Sequence, residues 1–120
     1  MYAYTTLTEL LGLTFEKVEI PGSKDEIIFH AKGGRKFLMY HEQDCCEAVS
    51  IEDIAGDLDD LVHAPIIRAE ERTQDDPNAD ESGTWTFYEF ATQKGSVTIR
   101  WYGSSNGYYG ESVSLSEVGR

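Results

Sequence analysis

Ser50-Ile51-Glu52-Asp53-Ile54-Ala55-Gly56-Asp57-Leu58-Asp59-Asp60-Leu61-Val62 decides how this chain is read. Ile51, Ile54, Leu58, Leu61 and Val62 are spaced three, four, three and one apart, which places them on one face of a helix. Ser50 and Asp53 stand as a capping pair, and the acids of the first turn suit the helix dipole. Gly56 weakens the middle by about 1 kcal/mol relative to alanine, and Pro65 stops the segment. The spacing therefore predicts a short helix over 51–62, held mainly by its buried stripe.

Outward from this segment the chain reads as β-structure. Residues 14–20, 26–31 and 35–41 are strand-like, the last two flanking Lys32-Gly33-Gly34, whose glycines permit a tight hairpin. Residues 66–73, 84–92, 97–102 and 108–115 continue the series, and 7–12 suggest a short turn or helix ended by Gly12. Trp85, Phe87 and Ala91 share one face, as do Val97, Ile99 and Trp101, so these side chains are expected in a core under a hairpin. The fold class expected is α+β: an antiparallel sheet built from hairpins with one main short helix, about 51–62, packed on it. The 120 residues form a single domain, with 74–83 as an exposed acidic loop.

The charge balance narrows the function. A net charge of −12 and a pI near 4.5 argue against a general binder of the phosphate backbone, so no direct nucleic-acid binding is expected. An acidic surface instead favours divalent cations or a basic protein partner. Apolar runs fall short of the ~20 residues of a membrane span, and residues 1–6 do not read as a secretory signal. The only cysteines, Cys45 and Cys46, are adjacent. Neighbouring cysteines pair poorly, which points to a reducing, cytoplasmic setting.

No lysine or arginine occurs between Lys36 and Arg68, while 42–60 holds eight carboxylates together with Cys45 and Cys46, flanked by His41 and His63. Such a run is a metal cradle, a docking face or a solvated surface. Zinc calls for two separated ligand pairs, and no second cysteine pair exists. Asp57-Leu58-Asp59-Asp60 lacks the glycine and glutamate of an EF-hand loop. A cysteine nucleophile would face uniformly negative surroundings, which oppose the thiolate. Gly33-Gly34 has no helix after it and is a hairpin tip. No cofactor, catalytic residue or metal ligand is assigned. The cluster from Arg100 to Tyr109 is better suited to binding, since tyrosines, arginine and asparagine stack on and hydrogen-bond a ligand or partner.

Four strings carry a resemblance: MYHEQDCCE at 39–47, EDIAGDLDDL at 52–61, TWTFY at 84–88 and VTIRWYGSSNGYY at 97–109. Together they resemble a small uncharacterised family, a domain of unknown function met in phage, prophage and bacterial genomes. In that family the position of Ala55 is often cysteine, so a shared cysteine-based metal site is not carried by this chain. The resemblance implies a genomic setting rather than an activity.

The expected function is a non-enzymatic binding protein of phage type, counteracting host defence by sequestering a small nucleotide-like ligand or by blocking a host protein. Its site is expected where the two polar clusters meet. His41, Gln43, Asp44, Arg100, Asn106 and Tyr108 would supply hydrogen bonds, and Trp101 or Tyr109 an apolar wall. Two alternatives stand beside it. One is a metal-assisted hydrolase using Asp44, Glu47 and Asp57 with His41 as base; the other is an acidic mimic of DNA. Exposed β edges and tyrosines are compatible with a homodimer.

Overall fold

The computed structural model describes residues 2–119 of the chain. Nine strands form two antiparallel sheets: β1 (Tyr2–Tyr4), β2 (Phe15–Glu19), β3 (Glu26–Ala31), β4 (Lys36–Tyr40), β5 (Ala48–Ala55), β6 (Arg68–Asp75), β7 (Ser82–Thr92), β8 (Gly95–Ser105) and β9 (Ser114–Val118). The five-stranded sheet has the order β1-β9-β4-β3-β2, and the four-stranded sheet the order β5-β8-β7-β6. Alternation along each strand sends one set of side chains into the space between the sheets. Ile27, Phe29 and Ala31 of β3 and Phe37 and Met39 of β4 meet Tyr88 and Phe90 of β7 and Val97, Ile99 and Trp101 of β8 there. Phe29 spans the layers, its ring centroid 5.0 Å from Phe15 and 5.6 Å from Phe90.

The expected helix over 51–62 is not formed, and the fold class is all-β rather than α+β. Among the described residues the only helical elements are two 3-10 turns, Leu7–Leu10 and Leu58–Leu61. Residues up to Ala55 are strand β5, paired with the inner strand β8: Ile51 lies opposite Trp101, Asp53 opposite Arg100 and Ile54 opposite Ile99. Glu52 is the extra residue of a β-bulge. A bulge shifts the alternation by one residue, so Ile51 and Ile54 both turn towards the core although they stand three apart. That local insertion imitates a helical period. Gly56, at φ +114°, then turns the chain out of any helix, and Asp57 Oδ1 accepts from Asp59 N at 2.9 Å to start the second 3-10 turn.

Two further boundaries differ from the sequence reading. Only Ser114–Val118 of 108–115 and beyond is strand, so Tyr108 and Tyr109 lie in an irregular connection. Gln74 and Asp75 pair with Trp85 and Thr84, and Ser82 and Gly83 with Ser105 and Ser104. The connection between β6 and β7 is thus 76–81. At the open edge of the four-stranded sheet, β6 carries Arg68, Glu70, Glu71, Arg72 and Asp75, charges that discourage pairing with another strand. No helix of the described residues is long and apolar enough to cross a membrane.

Candidate functional site

Strands β4, β6 and β8 end, and β5, β7 and β9 begin, at the same end of the molecule. Three connections therefore meet there: 41–47, 76–81 and 106–113. None of them contains a lysine or arginine, and Glu42, Asp44, Asp76, Asp80 and Glu81 reach solvent.

The first connection is built around Glu47, whose side chain is only 1% exposed. Its Oε1 accepts from the backbone N–H of Cys45 at 2.9 Å and from Gln43 Nε2 at 3.1 Å. Its Oε2 accepts from the backbone N–H of Asp44 at 3.0 Å and faces His41 Nε2 at 2.9 Å. The other ring nitrogen, His41 Nδ1, stands 2.6 Å from the carbonyl oxygen of Ser112. Both ring nitrogens thus face oxygen atoms of neighbouring residues. His41 ties the first connection to the third.

Burial pushes the Glu47 carboxyl up, yet the Cys45 N–H, the His41 ring and the Asp44 N–H outweigh it and hold the group at about 2, below its ordinary 4.5. A depressed folded value means a stabilising contribution that is full above the ordinary value and is lost as pH falls towards the folded one. The chemical shift of the Cys45 amide proton should accordingly follow Glu47 protonation with a midpoint near pH 2, read by nuclear magnetic resonance. A midpoint at the ordinary carboxylate value would contradict this geometry.

Glu111 braces the third connection in the same manner. Its Oε1 accepts from Thr84 Oγ1 at 2.7 Å and its Oε2 accepts from Ser105 Oγ. Burial raises its carboxyl, but those hydroxyls bring it below its ordinary value. Both buried acids are consumed in shaping the loops, which leaves ligand contact to the exposed ones.

Between the 76–81 connection and the end of β8 lies an open hollow of about 560 Å³, lined by Asp76, Asp80, Glu81, Tyr102, Ser105 and Asn106 among others. Tyr102 forms one wall and donates its hydroxyl to Asp76 Oδ2 at 2.7 Å. That bond lowers the Asp76 carboxyl and raises the Tyr102 phenol. The turn can close over Tyr102 because residue 83 is glycine; a Cβ there would collide with the Tyr102 hydroxyl. Beside the hollow, Asn106 Oδ1 accepts from Tyr108 N at 2.9 Å and Ser105 Oγ from Gly107 N at 3.0 Å. This fixed tip presents Tyr108, 83% exposed, with its ring edge-on to Tyr109 at 5.0 Å.

The residues expected at the site separate into three groups. Asp44, Asn106, Tyr108 and Tyr109 lie at the acidic end. His41 and Gln43 are there too, but their polar atoms are used internally, Gln43 Nε2 also donating to the Glu47 carbonyl at 2.6 Å. Arg100 is on the outward face of the four-stranded sheet, over the ring of Trp85, and Trp101 is fully buried in the core. Asp76, Asp80, Glu81 and Tyr102 were not among the expected residues. Cys45 and Cys46 are exposed and bonded to each other, where adjacent cysteines were expected to pair poorly.

The ligand set of the hydrolase alternative does not converge. Asp44 and Glu47 precede β5 and Asp57 follows it, so the eight-residue strand separates them by roughly 26 Å. Among the described residues no three His, Cys, Asp or Glu side chains are grouped to hold a metal ion.

A family model described as a domain of unknown function, DUF7448, matches residues 8–115. Neither a curated protein nor a solved structure matches the chain.

Proposed function

The chain belongs to the DUF7448 family, and we propose that it acts there as a non-enzymatic binding protein that takes a basic segment of a partner protein at its acidic end. The observation that carries this reading is the meeting of three connections without a single lysine or arginine around an open, carboxylate-lined hollow. A field of one sign draws in and orients the opposite charge. It repels phosphate, so a nucleotide-like ligand is not assigned to this end. The Tyr108–Tyr109 tip adds the rigid aromatic contact on which protein interfaces depend. In the phage and prophage setting that the sequence resemblance implies, the partner is a host protein met in the host cytoplasm, and occupying its basic surface counteracts defence.

A hexa-arginine peptide titrated into the labelled chain tests this. The amide signals of Asp76, Asp80, Glu81 and Tyr108 should move, and the affinity should fall as salt rises. Each exposed ion pair is worth about 0.2–1 kcal/mol, so Asp80→Asn with Glu81→Gln should weaken binding about fivefold. Shifts confined to other surfaces, or an affinity unchanged in the double variant, would remove the acidic end from consideration.

A further inference from the structure

The outward face of the four-stranded sheet adjoins the acidic end through Tyr102 and carries two arginines among its carboxylates. Its register sets Arg72, Phe87, Arg100 and Asp53 in one row across β6, β7, β8 and β5. The row above places Trp85 beside Tyr102, and the row below places Glu70 beside Glu89. The Arg72 guanidinium lies over the Phe87 ring, 5.0 Å from its centroid, and that of Arg100 over Trp85, at 4.8 Å. Trp85 and Tyr102 are themselves 4.3 Å apart between centroids.

Neither guanidinium reaches a protein acceptor among the described residues, and Arg100 Nε is buried with none. The chain has 22 acidic residues against 10 basic ones, so acceptors are in excess, and two arginines left without one are unexpected. Buried donors without acceptors are uncommon in folded proteins. A guanidinium held over a ring face retains N–H donors for a further acceptor. The strand spacing puts the two arginines about 10 Å apart, with Phe87 between them and the Trp85–Tyr102 row about 7 Å away. Asp53, opposite Arg100 in the row, and Glu70 and Glu89 below it flank the two arginines. A long polyanion would run onto those carboxylates, whereas a compact ligand with one phosphate would not.

We infer that this face binds a nucleoside monophosphate, with the base stacked against the Trp85–Tyr102 row and the phosphate held by Arg72 and Arg100. Aromatic rings and arginine planes supply the stacking, and guanidinium donors suit phosphate oxygens. Tyr102 is common to this face and to the hollow at the acidic end, whereas Arg72 and Arg100 are not, so variants of the two arginines test this inference separately from the protein-binding reading.

The test is titration of the full chain with adenosine 5′-monophosphate, followed by tryptophan emission and calorimetry. Trp85 is half-buried on this face, while Trp101 is enclosed in the core, so a change in emission reports Trp85. Adenosine and inorganic phosphate should each bind more weakly than the monophosphate. Arg72→Gln and Arg100→Gln should each weaken it about tenfold, as loss of one charge-assisted contact. Arg72 sits on the exposed edge strand, so its variant tests the site without disturbing the fold, and an unchanged thermal melt verifies this. The inference is overturned by unchanged emission at millimolar nucleotide, by parental affinity in Arg72→Gln, or by tighter binding of single-stranded oligothymidylate than of the monophosphate.

Discussion

Replacing Trp101 by alanine should cost about 3–5 kcal/mol of folding stability, the range for deleting a large aromatic side chain from a packed core. Trp101 has no exposed surface and packs with residues of both sheets. A domain of this size is stable by only about 5–15 kcal/mol, so the variant should unfold at a markedly lower urea concentration. Trp85→Ala should cost about 1 kcal/mol, because Trp85 is half-buried and loses chiefly its stack with Arg100. Trp101→Phe should fall well below the alanine cost. It leaves a smaller void and removes an indole N–H that is buried without an acceptor, a group whose desolvation is itself unfavourable. Equal costs at the two tryptophans would show that Trp101 is not the centre of the core.

The second large effect is expected at Gly56. Its φ of +114° disfavours any side chain, and an added Cβ would stand 2.6 Å from the Ser96 carbonyl oxygen and 3.2 Å from Val97 Cα. Those neighbours are backbone of an inner strand and cannot swing aside. Gly56→Ala therefore combines a backbone penalty of about 1–2 kcal/mol with overpacking of about 1–3 kcal/mol. Gly34→Ala provides the control. Its φ is also positive, at +81°, but nothing lies within 4 Å of the added Cβ, so only the backbone penalty applies. Urea midpoints of the two variants should separate clearly, and a Gly56→Ala midpoint no lower than that of Gly34→Ala would contradict the close approach of β5 and β8.

The same two places explain what the sequence could disclose. The hairpin of β7 and β8 was legible because Trp101, Ile99 and Val97 alternate without interruption, and the Gly33-Gly34 hairpin because two glycines punctuate it; the core face of β7 was not, since Tyr88 and Phe90 fill the core while Trp85 and Phe87, expected there, lie on the outward face. At 51–62 the alternation was broken by Glu52, and a single inserted residue in a strand leaves the spacing of a helix. Its opposing residues on β8 lie some fifty positions away in the chain, and only their pairing reveals the bulge. The acidic character of 41–60 was visible, whereas its division was not: Glu47 turns inward to hold four donors, while Asp44 faces solvent. Residues 76–81 read as a solvated stretch because nothing local indicates that Tyr102 comes up beneath them. The one local signal was Gly83 at the start of an aromatic strand, where a missing side chain marks a close approach. Arg100 and Trp101 were assigned to one surface as neighbours in sequence, although adjacent residues of a strand point to opposite faces.

The pairing of Tyr2 with Val118 brings both ends of the described chain side by side at the pole opposite the three acidic connections. A tether attached at either terminus would therefore hold the molecule upright, with Asp80, Glu81 and Tyr108 directed away from the support. Immobilised in this way, the protein becomes a display scaffold in which the connections can be exchanged as variable segments while the nine strands stay fixed.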